Sequence, residues 1–471
     1  MTRDEPMTIA TGAPLSALPI DLPAVERRAA IPAGFVATGG VAGIKASGRP
    51  DLALVATSTA ADGTRPPAAA AAVFTPNAFA AAPVRLSQAH LGTTDPAGGG
   101  RFGWASAIIS TSGSANAATG AAGDADQAVV ATILAEALGV AVEQTLLLST
   151  GIIGTRLPLD VVRSGVAAVA PTLAPDEAGL AAAAEALRTT DSVVKAATTS
   201  ITLPDPDGLA VRAVRVTGIA KGVGMIHPRM ATMLAIVLTD ATVDPATLHG
   251  LLRPAAARTW DQLSVDGDTS TNDTVFLLAS GAAGAVTITA GTHEAAELGR
   301  AIEAVARDLA RQQAADGEGA TTLITCQVSG AVDDADARAV ARAVISSSLV
   351  KAAVHGRDPN WGRIAGAAGN AALADESVLV AAGLTPSAAR SRAGTAAELD
   401  PDRLRIAIAG HLVFDGGASG PVFFDRTAAR ADMDAPELLI RLDLGMGDGR
   451  GEAFGCDLTE KYVIENSEYT T

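Results

Sequence analysis

The stretch KGVGMIHPRMATML, residues 221–234, sets a lysine, two glycines and a proline directly ahead of the apolar run Met233–Leu238. A short apolar run bounded by loop residues predicts a buried β-strand. Thr232 then stands where the loop hands the chain to the core. A hydroxyl fixed at such a point is well placed for chemistry, and it equally suits the first residue of an ordinary strand. The residues of this stretch leave both readings open.

Upstream, Ala210–Val216 alternates like a half-buried strand, and the Ala-rich residues 175–188 predict a helix that leads into Thr189-Thr190-Asp191-Ser192. Farther back, Leu146-Leu147-Leu148 runs into Ser149-Thr150-Gly151-Ile152-Ile153-Gly154, a strand ending in a turn of small residues. The Thr150 hydroxyl and the Gly151 amide would make a two-donor pocket of the kind that holds a developing oxyanion, although the same tripeptide serves in many plain turns. Leu52–Ala56 and Ala71–Thr75 are further strand-type runs, with a loop over Ser58–Pro67, and Ile108–Ala117 reads as a strand entering a turn. Asp124 is placed to cap a helix carrying Val129, Val130, Ile133, Leu134 and Leu138, with Gly139 as its stop. Residues 1 to about 32 are Pro- and Ala-rich and aperiodic, which predicts an extended lead-in with little weight in the core.

Downstream, residues 244–263 carry a helical apolar pattern and lead into Ser264–Thr274, which holds Asp266, Asp268 and Asp273. Thr271 stands where a calcium loop needs glycine and Leu277 where it needs glutamate, so a metal site is not expected there. A long helix is expected over His293–Ala315. Glu318 follows it, flanked by Gly317 and Gly319 and just ahead of the strand Leu323–Val328. A carboxylate in that position can meet a ligand ammonium or be an exposed hairpin acid. One helix is expected from Asp334 to about His355; residues 380–402 carry no signal, and the chain closes on Asn466 and Thr471.

Of the 471 residues 48% are hydrophobic and 18% charged, which is globular composition with room for a sizeable core. The net charge of -16, with no dense Lys/Arg cluster, argues against nucleic acid as a partner. Cys326 and Cys456 are far apart and lack a nearby His pair, so neither a disulfide framework nor a structural zinc site is indicated. That usage fits a reducing cytoplasm. The start of the chain does not read as a signal peptide, and no stretch reads as a membrane span. No P-loop, dinucleotide-binding GxGxxG, GxSxG or HExxH occurs, and the six histidines are scattered singly. Acid–base work would have to come from another group.

Taken together, the motifs resemble the arginine-biosynthetic ornithine acetyltransferases, also called bifunctional glutamate N-acetyltransferases. The likeness is carried by GIKASGRPDLALV from 43, AAVFTPNAFAAAPV from 71, STGIIG from 149, KGVGMIHPRMATML from 221, SVDGDTSTNDT from 264, DGEGAT from 316, DPNWGRI from 358 and LDLGMGDGRGEAFGCDLTEKYV from 441. So many motifs in one order make it specific. The resemblance implies an α/β fold of the α+β type, with layered sheets flanked by helices, in a precursor that cleaves itself between Ala231 and Thr232. It further implies an α chain of residues 1–231 and a β chain of 232–471 that begins with the nucleophile Thr232, the chains pairing as α2β2. Thr150 and Gly151 match the family's oxyanion pair. Thr190, Lys221, Thr232, Glu318, Asn466 and Thr471 match its substrate contacts. The implied reaction is ping-pong: N2-acetylornithine acetylates Thr232, ornithine leaves, and glutamate takes the acetyl group. No cofactor or metal is implied, and acetyl-CoA is left open as a co-substrate.

Thr111-Ser112-Gly113-Ser114 departs from the family's usual Asn-Ser-Gly-Asn, Thr322 from a common lysine, and Glu465-Asn466-Ser467 from Ile-Asn-Ala. These departures are expected to bear on which amino acid is bound more than on acyl transfer. The rival readings are a self-cleaving amidase or aminopeptidase, a paralogue that acetylates another amino acid, and an uncleaved binding protein.

Overall fold

The run after the glycine loop forms the strand Leu234–Thr239, every residue of it buried. The computed structural model describes residues 15–227, 233–418 and 420–467. These divide into two units. One comprises Asp21–Asp261 and Asp266–Glu318; the other comprises residues 15–20, Gln262–Val265 and the described chain from Gly319 onward.

In the first unit the strands are β1 (Phe35–Gly40), β2 (Leu52–Thr57), β3 (Ala68–Phe74), β4 (Phe102–Ala105), β5 (Ala107–Ser114), β6 (Thr145–Ile152), β7 (Lys195–Pro204), β8 (Val211–Lys221), β9 (Leu234–Thr239) and β10 (Thr274–Ala279). They make two sheets, ordered β1-β2-β5-β6 and β4-β3-β10-β9-β8-β7. Period-two alternation decides the layering. Phe35, Ala37, Val55, Leu146 and Leu148 of the first sheet share one core with Ala70, Ala72, Ile236, Leu238 and Phe276 of the second. The alternate residues Leu52, Leu54, Ile109 and Leu147 form a separate core with Val130 and Leu134 of a helix Gly120–Leu138 and Val162 and Val166 of a helix Leu159–Val169. On the second sheet, Gly218 lies beside Val305 and Leu309 of the helix His293–Ala315, whereas its neighbour Ile219 belongs to the inter-sheet core. The layers are therefore helix, sheet, sheet, helix, a mixed α/β architecture with helices flanking layered sheets. With both faces covered, β9 and β10 are unbroken apolar runs paired in parallel, Thr274 opposite Leu234.

The second unit has a seven-stranded sheet, in which Leu323–Ala331 lies between Gly449–Cys456 and Glu437–Asp443. Its core joins Ile324, Val328, Leu438 and Ile440 to Val340 and Val344 of the helix Asp334–Ser346. No described helix is long and apolar enough to cross a membrane.

Several local expectations need correction. The helix expected to begin at Asp124 begins at Gly120, and Asp124 lies inside it, paired with Arg85. The single helix expected over 334–355 breaks at Ser347, whose side chain caps a second helix, Ser348–His355. The described part of the lead-in does carry weight: Leu15 and Ala29–Ile31 are buried, and Glu26 bridges to Thr198. β7 goes unread in the sequence because Thr and Ser interrupt its apolar residues; the helix Leu159–Val169 was also missed, although Val162, Val166 and Val169 are buried at helical spacing.

Candidate active site

β6 carries Thr150 and Gly151 to the edge of the first sheet, in parallel register with Ser112 and Gly113 of β5. Gly151 has φ +128°, and a Cβ there would stand 2.5 Å from the Gly113 carbonyl carbon, so only glycine fits. Thr150 is buried, and its Oγ1 accepts a hydrogen bond from Lys221 Nζ at 3.4 Å. With its oxygen engaged by the ammonium, the Thr150 hydroxyl proton is left to point elsewhere.

Lys221 ends β8, and its side chain is almost wholly buried. Burial pushes its ammonium below the usual lysine range, while Asp191, with Oδ2 4.0 Å from Nζ, opposes that shift. Asp191 is the hub of a buried charge cluster. Its Oδ1 accepts from Lys195 Nζ at 2.8 Å and from the Gly222 amide at 2.7 Å, and Lys195 also donates to Asp316 Oδ2 at 2.6 Å. Burial alone would raise the Asp191 carboxyl, but the pull of Lys221 and Lys195 outweighs it and holds the group at about 2. A buried charge set of this kind persists only when each member is paired. Gln313, which accepts from Trp260 Nε1, donates 2.8 Å to the Lys221 carbonyl and fixes the strand end.

Glu318 joins the same cluster. Its amide donates to Val223 O at 2.8 Å, Thr190 Oγ1 donates to its Oε1 at 3.1 Å, and its carboxylate lies against Gly224, where an added Cβ would stand 2.2 Å from Oε2. The residue lies between a helix and a strand, not in a hairpin. One site thus holds a hydroxyl, an ammonium and a carboxylate side by side.

The loop that follows Lys221 is tied down by Asp266, whose carboxylate accepts the amides of Met225 and Ile226. Met225 has φ +51°, a conformation that non-glycine residues seldom adopt. Burial pushes the Asp266 carboxyl up to about 6 against its own amide bonds. The folded state therefore holds this proton more tightly than the unfolded chain does. The stabilisation it contributes is full below the ordinary aspartate range and is lost as pH rises through about 6. Asp266→Asn is expected to gain stability relative to wild type across that window. Denaturant unfolding of both proteins at stepped pH checks this, and a constant difference between them would sink it.

Two neighbours in the 264–274 loop act on different elements. Asn272 Nδ2 donates to Ala115 O at 2.7 Å and to Ser149 O at 2.8 Å. Asp273 Oδ1 accepts the Met233 amide at 2.8 Å. The acids of this loop thus hold backbone amides. Among the described residues no group of His, Cys, Asp and Glu side chains converges as a metal site.

Of the sequence-predicted site residues, the structure brings together Thr150, Gly151, Thr190, Lys221 and Glu318. Asn466 belongs to the second unit, in the helix Glu460–Ser467, where its Nδ2 donates to Tyr462 O at 3.0 Å. Ala231, Thr232, the bond between them and Thr471 lie outside the described residues. The expectation that the 111–114 departure bears on ligand choice is not supported. Thr111 Oγ1 meets Ser149 Oγ at 2.8 Å and Ser114 Oγ donates to Thr155 O at 2.9 Å, so these side chains are spent inside the protein. Sequence reading missed Asp191, Lys195, Asp316, Gln313 and the roles of Asp266 and Asp273. Asp266, Asp273 and Asp316 stand inside the quoted motif stretches, whereas Asp191, Lys195 and Gln313 carried no signal.

The ArgJ family model matches residues 36–471. A curated protein of Synechococcus sp., named arginine biosynthesis bifunctional protein ArgJ, is 43% identical over 440 residues, 93% of this chain and 96% of that protein. One of the same name from Synechocystis sp. is 41% identical over 460 residues, 96% of this chain and 100% of that protein. Among solved structures, an arginine biosynthesis bifunctional protein argJ from Bacillus halodurans is 37% identical with TM-score 0.43, covering 50% of this chain and 98% of that one. An ornithine acetyltransferase complexed with ornithine, from Mycobacterium tuberculosis, is 38% identical with TM-score 0.36, covering 44% of this chain and 98% of that one.

Proposed function

The chain belongs to the ArgJ family, and from that premise we propose that it is an arginine-biosynthetic acetyltransferase that moves the acetyl group of N2-acetylornithine to glutamate through Thr232. The observation that carries the reading is the cluster itself: the Lys221 ammonium bonded to Thr150, with the Glu318 carboxylate held beside it by Thr190. An N-acetylated amino acid with a free side-chain amine offers a carboxylate to the first and an ammonium to the second.

Maturation comes first. The Thr232 hydroxyl attacks the Ala231 carbonyl, the peptide nitrogen leaves, and water hydrolyses the resulting ester to free residues 1–231 from a chain that starts at Thr232. The new α-amine has an ordinary pKa of about 7.7 to 8.0, so a share of it is neutral near pH 7 and can take the proton of its own hydroxyl. The alkoxide attacks the acetyl carbonyl, and the oxyanion is met by the Thr150 hydroxyl and the Gly151 amide. Collapse returns the proton to the departing ornithine amine, and the glutamate amine then attacks the acetyl ester by the same steps in reverse. Asn466 and Thr471 complete the substrate contacts in this reading. Acetyl-CoA serves as a second acetyl donor, as the bifunctional name of the relatives supports. The processed chains assemble as α2β2 in the cytoplasm, which native mass spectrometry and fractionation test.

Incubation with N2-acetylornithine, with and without glutamate, tests the reaction. Acetylglutamate forming with ornithine is the expected result, and free acetate in its place would mean an amidase. Gly224→Ala gives a finer check, because its methyl displaces only the far end of the Glu318 side chain. KM for N2-acetylornithine is expected to rise roughly 10-fold with folding unchanged, in line with a charge-assisted bond worth about 1.5 kcal/mol. An unaltered KM would remove Glu318 from ammonium recognition.

A further inference from the structure

We propose that Asn272 and Asp273 form a brace that positions the nucleophile against the oxyanion turn, a role that rests on the acyl-transfer reading above. Consecutive in sequence, the two side chains reach in opposite directions. Both Asn272 amide hydrogens are spent on the first sheet, at Ala115 O and Ser149 O, the latter directly before Thr150. Asp273 Oδ1 takes the Met233 amide, directly ahead of β9. The Thr274 amide then donates to Met233 O at 3.1 Å, so both backbone groups of Met233 are held by adjacent residues.

The brace is itself over-determined. Asp273 O accepts the Thr75 amide at 2.9 Å, Thr271 O accepts the Ala81 amide at 2.8 Å, and Thr75 Oγ1 donates to Ser270 O at 2.8 Å. Asn272 and Asp273 are both buried. Burial pushes the Asp273 carboxyl well above the usual range. Acyl transfer needs a nucleophile and an oxyanion donor at fixed separation, and here two elements of different sheets are spanned by two side chains of one loop. These are positioning residues; neither is assigned a contact with substrate.

The test is steady-state kinetics and precursor cleavage for Asp273→Ala, Asp273→Asn and Asn272→Ser, each compared with wild type. Asp273→Ala and Asn272→Ser are expected to lower kcat about 10²-fold while KM for N2-acetylornithine stays within about 3-fold, the signature of misplacement without lost binding. Asp273→Asn keeps an acceptor for the Met233 amide and should lose less than about 10-fold, since a neutral hydrogen bond there survives. Self-cleavage should slow in the same order. Equal losses in Asp273→Asn and Asp273→Ala at equal melting temperature would overturn the proposal by making the carboxylate charge the requirement. A raised KM with unchanged kcat would overturn it too. If Asp273→Ala does not fold, the other two variants decide alone. Wild-type product analysis reports on the acetyltransferase reading by itself, and the variant-to-wild-type ratios report on the brace.

Discussion

Thr232→Ala is expected to leave the protein as one species at the full 46.9 kDa and without acetyl transfer, whereas wild type is expected to run as two pieces of nearly equal size, residues 1–231 and 232–471. Both losses have one cause. In the proposed reaction the same hydroxyl opens the Ala231–Thr232 bond and later carries the acetyl group, and its base, the α-amine of Thr232, exists only after the bond has been cut. Two of the histidines are engaged elsewhere: His90 Nδ1 lies 2.8 Å from Thr145 O and His411 pairs with Asp432. Thr232→Ser, which keeps hydroxyl and amine, is expected to cleave and to transfer. Denaturing electrophoresis with an acetylglutamate assay decides it, and processing retained in the alanine variant would place the nucleophile elsewhere.

Thr150→Ala is expected to lower kcat by about 10²- to 10³-fold, the usual consequence of removing one preorganised oxyanion donor. The geometry explains why the loss falls on rate more than on binding. Lys221 Nζ engages the Thr150 oxygen, so the hydroxyl proton is oriented before any oxyanion forms and no reorganisation is spent at the moment of reaction. Self-cleavage should slow as well, since its tetrahedral intermediate needs the same donors. Steady-state and cleavage time courses measure both effects. A near-normal rate would take Thr150 out of the pocket and leave it as a structural partner of Lys221.

Parts of this site were legible because local chemistry writes them. Gly151 is glycine because a Cβ would strike Gly113 2.5 Å away, and that demand appears in sequence as a small-residue turn after an apolar run. Thr190, Lys221 and Glu318 stood out by motif, and the structure explains their grouping through Asp191, one residue from Thr190 and 4.0 Å from Lys221. Asp191 itself carried no sequence signal. Its partners Lys195 and Lys221 are four and 30 residues away, and nothing in composition says that an aspartate and two lysines will share one buried space. The role of Asp273 was missed for a related reason: the residues around it argue against a calcium loop but do not say that Asp266 and Asp273 turn inward onto backbone amides.

By itself, the sequence determined the strands that carry Thr150 and Lys221, the glycine loop after Lys221, and the family, since each depends on residue types at short spacing. Only the tertiary structure decided what holds that loop and strand in place. The Asp191 hub, the Gln313 bond to the Lys221 carbonyl and the Asn272–Asp273 brace are all made across long sequence separations. The physical reason is burial. A charged or amide side chain withdrawn from water must be paired, and its partner is whichever group the packed layers bring within about 3 Å, however distant in the chain.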